Sequence, residues 1–333
     1  MEKEWLKLID EILEEKIFKD LPYVNEVYSY TVLKKGKRIR PLLVIYSATL
    51  VGGKITPLLL EVSAGIEIIH TTSLLHDDVI DEGKMRRGEA SVPICWNNQI
   101  SITVGDYILA VTYLELLRKL PRYLIEPLFE AVVNMCSGEL LEINQQASNC
   151  FSIKRYFEIV EAKTASLMKA SCNVGALIGG GTPGEVNALA CVGKYFGMAY
   201  QIYDDLLDYI GDPEEEKKTL WQDFPRGILT LPIIYAFSKA SPKEREWIKT
   251  LLLETEEVDR KKILEFINYY DGFTMCLNLI ETYLDRCYCL LSGFGGKEND
   301  FKNFLKSCIN LSKLDYARVK IFPKFFIKHY TEI

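Results

Sequence analysis

Apolar residues recur along this chain at steps of three and four, the period of a helix face, and no stretch shows dependable strand alternation. The run from Pro57 to Asp81 is typical. Val62, Ile66, Ile69, Ser73 and Asp77 fall along one side of a helix that begins apolar and ends in a carboxylate. Breaks rich in turn formers fall at Leu33 to Lys37, Gly52 to Pro57, Asp81 to Pro93, Ser148 to Lys154, Gly179 to Gly184 and Gly211 to Gly227. Each is short enough to join neighbouring helices. Pro232 suits the first turn of a buried helix, and helical periodicity continues from Ser241 to Lys302. The closing KIFPKFFIKHYTEI is apolar and basic and is expected on the core or on a partner. No linker, charge block or repeat interrupts the pattern, which predicts a single all-α domain over residues 1–333.

Composition narrows the class. Apolar residues at 48% and charged residues at 26% describe an ordinary globular chain. A net charge of −6 argues against a nucleic-acid partner, so an anionic substrate would need a local cluster of cations. The nine cysteines are odd in number and lack CxxC spacing, which predicts reduced, mostly core thiols. The amino-terminal MEKEWLKLIDEILEE is charged and amphipathic, without a secretory apolar region, and no later stretch reads as a membrane span. A cytoplasmic location is the expectation.

The sharpest chemistry lies in two aspartate clusters of equal spacing, the DDxxD runs HDDVID and YDDLLD. They contain Asp77, Asp78 and Asp81, and Asp204, Asp205 and Asp208. Residues four apart share a helix face, so each cluster points two carboxylates the same way with the middle aspartate beside them. Such pairs repel unless a cation sits between them, and hard oxygen ligands suit Mg²⁺, which bridges carboxylates to phosphates. Two clusters facing across a bundle would hold a diphosphate. A solvated acidic face is the commoner meaning of one cluster, but the frames SLLHDDVI and YQIYDDLLDYI are strongly apolar.

Cations border the acids in sequence. KKGKRIRP supplies Lys37, Arg38 and Arg40, and KMRRGEAS supplies Arg86 and Arg87, all plausible diphosphate anchors. Lys163 and Thr164 add a cation and a hydroxyl within a helix of small apolar residues, and Gln201 shares the face of the second cluster. Lys218 lies in a polar loop able to close over phosphate. His70, two turns before Asp77, is in register to reach a bound diphosphate, whereas His76 and His329 carry no such signal.

In order, GKRIRP, HDDVIDEGKMRRG, KTASL, YQIYDDLLDYIGD and TLP resemble the trans-isoprenyl diphosphate synthase family from about Gly36 to Pro232. The resemblance implies a bundle of mostly antiparallel helices around a deep apolar cavity, usually homodimeric. It implies three Mg²⁺ held by Asp77, Asp78, Asp81, Asp204, Asp205 and Asp208. Isopentenyl diphosphate would meet Lys37, Arg40, His70 and Arg87, and the allylic diphosphate Arg86, Lys163, Thr164, Gln201 and Lys218. Asp77, Asp81, Asp204 and Lys163 would carry the catalytic work. The metals would withdraw charge from the leaving diphosphate, and the isopentenyl double bond would attack the allylic cation in a head-to-tail 1'-4 trans condensation.

The chain departs from the family pattern in places. Ile228 stands where lysine is often found before TLP, Thr219 and Trp221 where proline and glycine are frequent, and Glu142 where glutamine is common. By the same resemblance Ser73, Thr72 and Ile69 line the channel for the growing chain. Thr72 is small where short-product members place an aromatic residue, so products of twenty carbons or more are expected. Release of so insoluble a product implies transient contact with a membrane surface. Two other functions fit less well. A class I terpene cyclase would have a single aspartate-rich cluster, and a weakly active or non-catalytic subunit of a heteromeric synthase would be expected to have lost a cluster.

Overall fold

The computed structural model describes residues 2–16, 18, 21–34, 36–86, 88–211, 221, 223–253, 260–295, 298–311 and 314. As expected, the fold is all-α. The first helices are α1 (Glu2–Glu15), α2 (Pro22–Thr31), α3 (Ile39–Leu50) and α4 (Pro57–Ile80). After them come α5 (Val92–Cys95), α6 (Asn98–Lys119), α7 (Arg122–Ser148), α8 (Ile153–Val160), α9 (Ser166–Ile178) and α10 (Pro183–Ile210). The described carboxy-terminal helices are α11 (Leu231–Lys239), α12 (Pro242–Leu253), α13 (Arg260–Tyr269), α14 (Gly272–Leu291) and α15 (Asn299–Cys308). Contact density divides the chain into two compact units, residues 1–133, 167–193 and 290–301 in one, and 134–166, 194–289 and 302–333 in the other.

In the first unit α4 is the central element and packs on α6, α3 and α1. Thr56 caps it by accepting the Leu59 N–H at 3.2 Å, and Pro57 occupies the first turn, where its missing donor costs nothing. Ser101 donates to the Leu75 carbonyl at 2.8 Å, while Leu116 lies 3.2 Å from where a Cβ on Gly65 would stand, so α4 and α6 run antiparallel. α3 and α9 approach so closely at Gly175 that a Cβ there would fall 2.2 Å from the Val44 carbonyl oxygen. α1 contributes Trp5, Ile9 and Leu13, one residue per turn, to the core.

Four sequence expectations need correction. A two-residue antiparallel ladder, β1 (Met85–Arg86) with β2 (Glu89–Ala90), forms within a stretch read only as a break. Among the nine cysteines, Cys172, Cys276, Cys287 and Cys308 are buried but Cys95, Cys136, Cys150 and Cys289 are exposed. Two helices, Pro57–Ile80 and Asn98–Lys119, are long and apolar enough to cross a membrane, contrary to the reading that no stretch was. The apolar stretch of α4 is 72% buried, which accounts for its composition.

The fourth is Arg38, grouped above with the phosphate anchors. It is 3% exposed, with Nη1 2.9 Å from Glu67 Oε1, Nε 3.1 Å from Asp10 Oδ1 and Nη2 donating to the Val32 carbonyl at 2.9 Å. Its backbone sits in the left-handed region at φ 49°, and the side chain is turned inward while the preceding Lys37 stays exposed. It is a core cation that satisfies a buried glutamate.

In the second unit α11 packs on α13, α8 and α12. Tyr203 on α10 donates to the Asn310 carbonyl at 2.9 Å, and Gly211 pairs with Leu314 in a single bridge. The closing segment from Asp315 lies outside the described residues, as does His329.

Candidate active site

The first aspartate cluster occupies the last turn of α4. Asp81 closes the helix by donating its N–H to the Asp77 carbonyl at 2.8 Å, so the two side chains lie one turn apart, both partly exposed. Asp78 is rotated off their line. It is 4% exposed, and its Oδ1 accepts the Arg86 Nε–H at 2.6 Å. Arg86 rides on the β1–β2 hairpin, held because Ser91 donates to the Gly83 carbonyl and Gly83 N–H to the Asp78 carbonyl. A cleft with about 380 Å³ of open space, mouth included, runs along this side of α4 past Thr71, Leu74 and Asp78 to Arg86 and Lys34.

The second cluster occupies the corresponding place on α10. Asp204 and Asp208 are partly exposed one turn apart, while Asp205 is 4% exposed with both oxygens engaged. Tyr156 OH donates to Oδ2 at 2.5 Å and Gln201 Nε2 to Oδ1 at 2.8 Å, with Thr164 Oγ1 in turn donating to Gln201 Oε1 at 2.7 Å. Burial, opposed by these hydrogen bonds and aided by Asp204 and Glu142, raises the Asp205 acid to about 7. Thr164 and Gln201, expected to meet a diphosphate, are thus joined to each other and to this buried carboxylate.

Tyr156 meets that carboxylate directly and Thr164 meets its partner Gln201 because the helix between them is widened. Glu161–Ala165 is a π turn between α8 and α9. Eight residues of regular helix turn a side chain about 80° beyond two full turns, and the extra residue of a π turn takes back about 100°. The two side chains therefore point the same way. Gly138 on α7 allows the approach, since a Cβ there would stand 2.8 Å from the Lys163 backbone nitrogen. Lys163 Nζ consequently lies 2.5 Å from both Glu139 Oε2 and Glu142 Oε2.

Asp223 is a site residue that sequence reasoning missed. Its N–H donates to Asp208 Oδ2 at 3.3 Å, and its acid is pushed well up by burial and by Asp208, Asp205, Asp204 and Glu142. Beside it, Trp221 takes φ 66°; its ring packs edge-on against Tyr209 at 5.5 Å, with the Arg260 guanidinium 5.7 Å away. Ring packing accompanies a backbone conformation that costs an ordinary residue about 1–2 kcal/mol.

Of the other expected residues, Lys37 is exposed, and Arg40 and His70 are half-buried in the first unit. Arg87 and Lys218 lie outside the described residues. Thr72 and Ile69 are each 1% exposed. The Thr72 hydroxyl donates to the Ile69 carbonyl and the Ser73 hydroxyl to the His70 carbonyl, both at 2.8 Å. These residues keep their hydroxyls within the helix and offer neighbours mainly hydrocarbon.

Each cluster sits at the negative end of a helix dipole, and neither α4 nor α10 has a basic residue in its last turn to offset it. Among the described residues no three His, Cys, Asp or Glu side chains converge to enclose a metal by themselves. Paired carboxylates still fit Mg²⁺, which takes one or two from the protein and completes its shell with water and phosphate oxygens.

An all-helical fold whose two long helices each end in a DDxxD run belongs to the class that includes the isoprenyl diphosphate synthases. A family profile described as "Polyprenyl synthetase" matches residues 21–269. The chain is 32% identical over 288 residues to heptaprenyl diphosphate synthase component 2 of Bacillus subtilis (strain 168), covering 85% of this chain and 80% of that one. It is 33% identical over 251 residues to octaprenyl diphosphate synthase of Escherichia coli (strain K12), covering 75% and 76%. A polyprenyl synthase from Caulobacter crescentus CB15, solved with calcium and isoprenyl diphosphate, superposes with TM-score 0.80 at 28% identity over 95% of this chain and 94% of that one. The chain belongs to the polyprenyl synthetase family and is a prenyltransferase.

Proposed function

We propose that this chain condenses isopentenyl diphosphate with an allylic diphosphate, head to tail and trans, to give a polyprenyl diphosphate of twenty carbons or more. The observation that carries the reading is the paired carboxylates, Asp77 with Asp81 and Asp204 with Asp208, at helix ends that lack any basic offset. Three magnesium ions on the allylic diphosphate would supply the electrophilic pull that lets the leaving group depart. Asp77 with Asp81, and Asp204 with Asp208, would supply carboxylates to hold them. Asp78 and Asp205, both buried and hydrogen-bonded, hold their neighbours' surroundings in place. Lys163 and Arg86 would bind the allylic diphosphate, with Lys218, and Lys37, Arg40, His70 and Arg87 would bind isopentenyl diphosphate. The small side chain of Thr72 is what favours a product of that length.

The assembly we propose is a homodimer in the cytoplasm. Ile102, Tyr107, Leu114 and Leu117 of α6 stand 36–51% exposed along one helix, an apolar face that a second copy would cover. The relative named component 2 favours a second reading, a weakly active or non-catalytic subunit of a heteromeric synthase.

The test is to incubate the purified protein with Mg²⁺, isopentenyl diphosphate and ten-, fifteen- or twenty-carbon primers and weigh the products, with Asp77→Ala and Asp204→Ala alongside. Elongated diphosphates, lost by 100-fold or more in each variant with helicity retained, are expected from losing metal ligands. Cyclised hydrocarbon would overturn the reading. A monomeric protein, inactive alone, would favour the partner-dependent subunit.

A further inference from the structure

We infer that Glu142 is a positioning residue that withholds Lys163 from diphosphate in the resting enzyme. This inference rests on the proposed contact between Lys163 and the allylic diphosphate. Lys163 Nζ sits 2.5 Å from each of two carboxylates, and the three side chains are 25% (Lys163), 13% (Glu139) and 17% (Glu142) exposed. At such burial a charge-assisted pair is screened less than a surface pair.

The clamp is built by the backbone. Glu139 and Glu142 are three apart on α7 and share a face, and Gly138 lets that face approach the π turn carrying Lys163. Two adjacent carboxylates repel, so Lys163 stabilises both, and pulling it away exposes that repulsion. With two acids and one base, the cluster carries a net negative charge.

Glu142 is the member that faces the acidic site. Its charge helps raise the acids of both Asp205 and Asp223. An incoming diphosphate must therefore break a short ion pair and approach a carboxylate as well. Glutamine at 142 would keep the shape and an acceptor for Lys163 while removing one negative charge.

The experiment titrates inorganic diphosphate into full-length wild type, Glu142→Gln, Lys163→Ala and the double variant by calorimetry at saturating Mg²⁺, with thermal melting as the fold control. Glu142→Gln should bind about tenfold more tightly, or about 1.4 kcal/mol. In the Lys163→Ala background the same change should gain less than threefold. In turnover, the gain should fall on the KM for the ten-carbon primer and leave the KM for isopentenyl diphosphate unmoved. Unchanged or weaker binding in Glu142→Gln overturns the inference, and an equal gain with and without Lys163 shows plain repulsion instead of a clamp and also overturns it. Wild type that elongates no primer would sink the proposed function, and the calorimetry would still decide the clamp.

Discussion

Replacing Asp205 with asparagine should change how stability depends on pH in the metal-free protein. Burial holds the Asp205 acid at about 7 in the fold, against 3.8 for the ordinary group. A carboxyl whose folded pKa is raised contributes stability that is fully present below pH 3.8 and is lost as pH rises through 7. At about 1.4 kcal/mol per pH unit, that interval corresponds to a loss of about 4 kcal/mol, of which about 3 kcal/mol falls between pH 5 and 8. Asparagine keeps the size and one acceptor oxygen but cannot titrate. Urea unfolding in EDTA, followed by helical circular dichroism at several pH values, should therefore show wild type losing stability relative to Asp205→Asn as pH rises. Mg²⁺ favours the charged carboxylate, so adding it should shrink the difference. Stability profiles that run parallel between pH 5 and 8 would refute the assignment of a buried carboxyl whose acid is raised to about 7.

Three further outcomes follow from particular contacts. Glu67→Ala leaves the 3%-exposed Arg38 without its buried partner and should cost about 3–5 kcal/mol, read as a lowered urea midpoint; a change below about 1 kcal/mol would show that water relieves the charge. Gly175→Ala drives a methyl toward the Val44 carbonyl and should destabilise by about 1–3 kcal/mol, a loss that an unshifted melting curve would contradict. Thr72→Tyr should shorten the product distribution measured by mass spectrometry, and an unchanged distribution would mean that this turn does not border the growing chain.

The helices were legible because their faces repeat. α4 could be read to its end, proline at the start and aspartate at the finish, since its apolar positions never lose register. The middle aspartates were less legible. Spacing alone sets Asp78 and Asp205 about 100° from their neighbours on a helix, but only the structure shows Arg86, Tyr156 and Gln201 waiting there. Arg38 was misread because a left-handed backbone leaves no mark in a run of basic residues. Asp223 was missed for a different reason: a lone acid in a polar loop looks solvated until the chain folds it beside Asp208. The π turn was equally hidden, because EAKTA holds small or polar residues whose hydrophobic period is too weak to reveal one residue too many.

That surplus residue makes the segment behave as a dial. Removing any one of positions 161–163 would leave a tidier helix of almost the same length, yet it would swing everything before the deletion by about 100° relative to everything after. Tyr156 and Thr164 would then no longer converge on Asp205 and its partner Gln201, although neither had been altered. A shorter chain that looks more regular would thus be the more damaged one, and aligning this region by helical period alone would put its residues on the wrong side.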